Sequence, residues 1–125
     1  MTPLPETVCQ AWEARQGPAV LTTVGANGSP NAVYIGSIRR LGDDAFVIAD
    51  NYFSKTRANI LGGSSASLLF ITGERKAYQI KGTLEYLTAG RVFEEMKGWI
   101  REGLPGHAAV VLHIGEVYSG AERLA

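Results

Sequence analysis

Apolar and polar residues along the chain fall into two periods. Residues 77–87 alternate, with Tyr78, Ile80, Leu84 and Tyr86 on one face and Gln79, Lys81, Thr83 and Glu85 on the other, the pattern of a half-buried strand. Residues 66–72 form a nearly continuous apolar run, as a fully buried barrel strand would. Further strands are predicted at 18–24, 31–41, 45–49 and 108–117. The Asn27-Gly28 pair supplies the positive φ of a hairpin turn between the first two, and Gly42-Asp43-Asp44 turns the chain into the third. Helical spacing appears at 5–16, where Val8, Ala11 and Trp12 share a face, Pro5 opens the first turn and Gly17 ends it. It returns at 90–102, where Val92, Phe93, Met96, Trp99 and Ile100 share a face before Leu104-Pro105-Gly106 breaks the helix. A shorter helix at 54–61 is stopped by Gly62-Gly63. Six strands with helices at the corners predict a mainly β, antiparallel barrel with short flanking helices. The single strand–helix–strand unit lacks a Gly-x-Gly-x-x-Gly turn, which argues against a dinucleotide-binding sheet.

Nothing in the composition interrupts this reading. The 125 residues form one expected domain, 1–125, without repeats or linkers. Twelve basic and twelve acidic side chains cancel, so no global field attracts nucleic acid or an anionic membrane, and any anion must be held by a local cluster. No run of about 18 apolar residues is present, so no membrane span is expected. The lone Cys9 excludes an intrachain disulfide, and the first residues lack the basic and apolar regions of a secretory signal; both suggest the cytoplasm.

The chemistry concentrates in residues 46–60. An apolar run stops at Asp50-Asn51, and after Tyr52-Phe53 a helix opens at Ser54, a good N-cap, with Lys55, Thr56 and Arg57 in its first turn. Cations there oppose the helix dipole unless an anion, most simply a phosphate, lies between them and the free N–H groups. Tyr52 and Phe53 read equally as a plug for the barrel end or as ligand contacts. His107 and His113 lack a third ligand nearby, so a structural role is favoured over a metal site. Glu94-Glu95 reads as the wet face of a helix, Trp12 as core, and Trp99 as core or subunit contact.

Asn51-Tyr52-x-Ser54-Lys55-Thr56, followed by Ser67-Leu68-Leu69-Phe70, then Glu74-Arg75-Lys76 and a strand ending Ile80-Lys81-Gly82, resembles the pyridoxamine 5'-phosphate oxidase-like, FMN-binding split-barrel family. The likeness covers residues 18–87. It implies a homodimeric split barrel with one FMN per subunit at the interface. Ser54, Lys55 and Thr56 match the family's phosphate-gripping segment. Ala49, Asp50 and Asn51 match the strand end whose backbone lies along the isoalloxazine ring. Tyr34 and Ile35 fall on the second strand, which contributes phosphate and ring contacts, and Lys76 stands where a polar side chain often reaches the cofactor.

Two departures bear on function. Where the oxidase has an Arg followed five residues later by a Lys, this chain has Tyr34 and Arg39. Where the oxidase has a C-terminal Arg-x-His segment, it has Glu122-Arg123-Leu124-Ala125. Pyridoxamine phosphate oxidation is therefore not expected. The expected function is that of an FMN-binding redox protein, a flavin-dependent oxidoreductase or small electron carrier whose redox partner the sequence leaves open. A non-catalytic flavin or haem binder of the same barrel is the alternative, and relatives that hold F420 belong to the same comparison.

Overall fold

The computed structural model of the protein describes residues 2–125, whose elements follow the order α1 (Glu6–Glu13), β1 (Ala19–Val24), β2 (Pro30–Ile35), β3 (Ile38–Leu41), β4 (Ala45–Asp50), α2 (Lys55–Leu61), β5 (Ala66–Ile71), β6 (Ala77–Leu87), α3 (Arg91–Trp99), β7 (Ala108–Ser119) and β8 (Glu122–Arg123). The strands make one antiparallel sheet in the order β2-β1-β5-β6-β7-β4-β3, with the short β8 pairing with β7. β2 and β3 lie at opposite edges of that path, yet only Gly36 and Ser37 separate them in the chain. A link this short spans on the order of 10 Å, so the sheet must curl until its edges nearly meet. The architecture is a split β-barrel with three short helices among the described residues.

Among the described residues, eight strands replace the expected six. The predicted strand over 31–41 breaks at Gly36-Ser37, where the chain leaves one sheet edge for the other. The signal was in the spacing. Ile35 and Ile38 are both buried although three residues apart, and in an unbroken strand they would face opposite ways. The second strand not foreseen, β8, is a two-residue pairing with the end of β7. The third helix stops at Trp99 instead of continuing to Glu102, because Ile100 turns extended (φ −71°, ψ 154°).

Two apolar layers hold the barrel. Large side chains of β4 and β7 (Phe46, Ile48, Val110, Leu112, Ile114) point inward, while Ala45, Val47, Ala49, Ala109 and Val111 form the outer face under α3. The small outer residues let α3 seat Met96 fully buried, with Val92, Phe93, Trp99 and Ile100 around it. Helix α1 closes the interior with Trp12, whose ring meets Phe46 and Phe70 edge-on at 4.9 and 5.0 Å.

Candidate functional site

Where the chain crosses from β2 to β3, the end of β4 and the entry to α2 lie alongside, and together they leave a cavity of about 730 Å³. Its walls are Val33, Tyr34 and Ile35 from β2, the Gly36-Ser37 crossing, Arg39 from β3, Ala49 from β4 and the whole segment from Asn51 to Thr56. Trp99, Ile100, Arg101 and Leu104 close it from the end of α3. That last wall is pinned: Lys97 Nζ donates to the carbonyls of Pro105 (2.6 Å) and Gly106 (3.2 Å), and the Gly106 N–H donates to Asn51 Oδ1 (3.0 Å). Asn51 in turn donates from Nδ2 to Ser37 Oγ (3.2 Å), tying the floor to the barrel crossing.

In a chain of zero formal charge, this cavity is one-sided. Lys55, Arg39 and Arg101 line it, and among the described residues lining it none is Asp or Glu. Among the described ion pairs, none involves these three cations. Arg39 places its guanidinium 4.9 Å from the Trp99 ring centre. At the α2 end, Thr56 is buried and its Oγ1 accepts a hydrogen bond from Asn31 Nδ2 (2.9 Å), leaving its own O–H to donate. The surface is suited to a flat, aromatic anion.

Directly behind this wall lies a fully buried carboxylate. Asp50 accepts Arg57 Nε at 2.7 Å and Nη2 at 2.9 Å, Tyr86 O–H at 2.6 Å and the Phe53 N–H at 3.1 Å. Burial pushes its pKa up, but the hydrogen bonds from Arg57, Tyr86 and Phe53 and the Arg57 charge outweigh that, holding the carboxyl below its ordinary value. Tyr86 is raised, first by burial and then by its bond to the carboxylate. A carboxyl depressed in the folded state adds stability above its unfolded pKa of roughly 3.9. That contribution disappears as pH falls through the lower folded value. Asp50→Asn should therefore cost roughly 2 kcal/mol at neutral pH and flatten the acid limb of the stability curve, measured by urea melts between pH 7 and pH 2.

The sequence profile of the pyridoxamine 5'-phosphate oxidase family matches residues 6–119. The chain belongs to that family. An uncharacterized protein of Methanocaldococcus jannaschii is 32% identical over 104 residues, spanning 79% of this chain and 70% of that protein. Among solved structures, HupZ of Group A Streptococcus superposes with a TM-score of 0.81 at 26% identity over 93% of each chain. An FMN-binding protein of Syntrophomonas wolfei superposes at 0.76 and 20% identity, covering 90% of this chain and 83% of that one.

Of the residues that the family resemblance singles out, Tyr34, Ile35, Ala49, Asn51, Ser54, Lys55 and Thr56 come together on the cavity wall. Two stand apart. Asp50 faces away into its network with Arg57 and Tyr86. Lys76 lies on the β5–β6 turn, 5.6 Å from the Tyr78 ring centre, and does not line the cavity. The helix start also differs from expectation: Ser54 makes no side-chain cap, and the anion beside Arg57 is the chain's own Asp50. Helix α2 has only seven residues, so cationic side chains, more than a helix dipole, set the positive charge at this end. Phe53 packs on the barrel core and also lines the cavity, and Tyr52 remains 76% exposed at the cavity. The His107 backbone N–H donates to the Asp50 carbonyl, and His113 Nε2 lies 2.9 Å from Glu85 Oε1. Asn31, Ser37 and Arg101 escaped the sequence reading because their places follow from the barrel crossing and from the early end of α3.

Proposed function

We propose that the cavity holds FMN and that the protein is a flavin-dependent redox protein, either a small oxidoreductase or an electron carrier. The observation that carries this reading is the cavity itself: three cations without a carboxylate, set among Tyr34, Tyr52 and Trp99 in a neutral chain. Family membership supports the same cofactor. In this reading Lys55 and the Thr56 hydroxyl take the phosphate, with Ser54 beside them. Ile35 and Ala49 offer the apolar surface against which a flat ring excludes water, and Asn51 keeps the floor rigid through Ser37 and Gly106. Bound FMN would supply hydride or single-electron transfer at its N5, while the protein supplies position and polarity. The visible spectrum of the purified protein tests the reading. Two flavin bands, with FMN recovered after denaturation, are expected; a Soret band or a deazaflavin band would overturn it.

We also propose that two copies pair. Tyr34 and Tyr52 are each 76% exposed at the cavity rim. Tyr34 stands opposite Val20, which in turn stands opposite Leu69, so an apolar row crosses the outer face of β2-β1-β5. A twofold contact over this row would bury it and shield the rim. Light scattering at micromolar concentration should give about twice the 13.4 kDa chain mass, and a flavin-loaded monomer would exclude the pairing.

A further inference from the structure

We infer that Asp50, Arg57 and Tyr86 are positioning residues for the anion-binding end of the cavity, acting through Lys55 and Thr56 without touching the ligand. The inference rests on the flavin reading above and goes beyond it, because none of the three lines the cavity. Asp50 is the hub. Its Oδ1 receives the Phe53 N–H and so fixes the turn that carries Tyr52. Both its oxygens receive Arg57, in the first turn of α2 and two residues past Lys55, which fixes how α2 is presented. Tyr86, from β6 in the middle of the sheet, anchors the carboxylate to the barrel. The Asp50 carbonyl accepts the His107 N–H (2.8 Å), joining the loop that closes the opposite wall. Asp50 thus meets the chain on both sides of the site, through its carboxylate on the α2 side and its main-chain carbonyl on the other.

Energetics point the same way. An ion pair whose carboxylate is buried while its Arg57 partner stays 35% exposed is a weak source of stability, since desolvation of the carboxylate offsets much of the attraction and apolar side chains of similar volume often do as well. What an apolar replacement lacks is direction: it holds α2 against the barrel without dictating where the Lys55 ammonium and the Thr56 hydroxyl lie. A network kept for positioning should therefore be separable from stability.

The test compares FMN with riboflavin, which has the same ring and no phosphate. Binding is measured by flavin fluorescence quenching, and melting temperature is read on the same samples of wild type, Tyr86→Phe, Arg57→Lys and the apolar triple variant Asp50→Leu/Arg57→Met/Tyr86→Phe. Tyr86→Phe should lower FMN affinity about tenfold, the lower end of what a hydrogen bond to a charged group contributes. Arg57→Lys, which loses the two-point grip, should lower it about tenfold. Riboflavin affinity should stay within twofold of wild type in both. The triple variant should keep its melting temperature and lose the preference for FMN. Equal losses for both flavins, or lower melting temperatures with the FMN preference intact, would show the network to be merely structural. A wild-type chain that binds neither flavin would overturn the flavin reading and this inference together, whereas a wild type that prefers FMN beside variants that do the same overturns the inference alone.

Discussion

Lys55→Ala is expected to weaken FMN binding ten- to a hundredfold and to leave riboflavin binding unchanged. A charge-assisted contact between an ammonium and a phosphate contributes on the order of 1.5–3 kcal/mol, which sets that range. The loss should not spread to the fold. Lys55 is exposed, lies on the cavity wall and is in none of the ion pairs among the described residues. A cation in the first turn also does nothing for the helix itself, since the N-terminal end favours negative charge. Thr56→Val should lose less, about 1 kcal/mol for a neutral donor, although Asn31 would then lose an acceptor and the two effects would need separating through riboflavin. Isothermal titration with both flavins on each variant gives the comparison. Should Lys55→Ala reduce both affinities alike, or neither, the phosphate lies elsewhere, and Arg39 and Arg101 are the remaining cations on the wall.

Much of this arrangement could be read from the chain, and the failures have physical causes. Strand β6 and its two faces were legible because eleven residues alternate without interruption. β4 was legible as an apolar run, but periodicity could not say that Phe46 and Ile48 face the barrel while Ala45, Val47 and Ala49 face α3. The two faces differ in side-chain size: bulky Phe46 and Ile48 fill the barrel, and the alanines leave room for α3 to seat Met96. The β2–β3 break required noticing two buried isoleucines at an odd spacing. The site was half legible. Motif order located the segment from Asn51 to Thr56, which is contiguous in sequence. It could not distinguish Lys55, which faces the cavity, from Arg57, which turns back to Asp50, because both are first-turn cations two residues apart. Asp50 itself drew attention for its backbone, whereas its carboxylate depends on Tyr86, 36 residues away. Long-range pairs of this kind leave no local pattern.

The most damaging single methyl group should be the one added by Gly82→Ala, a change that most scales would rank as mild. Gly82 sits in β6 between Ala66 of β5 and Ile114 of β7, so backbone flanks it on both sides. The ladder slips just here: Lys81 pairs with Glu116 and Gly82 with Ile114, leaving Gly115 as the extra residue of a bulge on β7. The bulge drives the neighbouring backbone toward Gly82. A Cβ at Gly82 would press into the carbonyl oxygen of His113 and lie 2.9 Å from its carbonyl carbon. A flexible side chain could swing away from such a contact, but a carbonyl held in the sheet cannot. The variant should lose roughly 3 kcal/mol, a fall in melting temperature on the order of 10 °C for a domain of this size. Gly98→Ala supplies the contrast. That glycine lies within α3 with nothing within 4 Å of the added carbon, so alanine should stabilise by roughly 0.5–1 kcal/mol through helix propensity. Opposite signs from the same chemical change separate close backbone approach from propensity. Two small effects of the same sign in thermal melts would mean that β6 and β7 do not close on each other at the bulge.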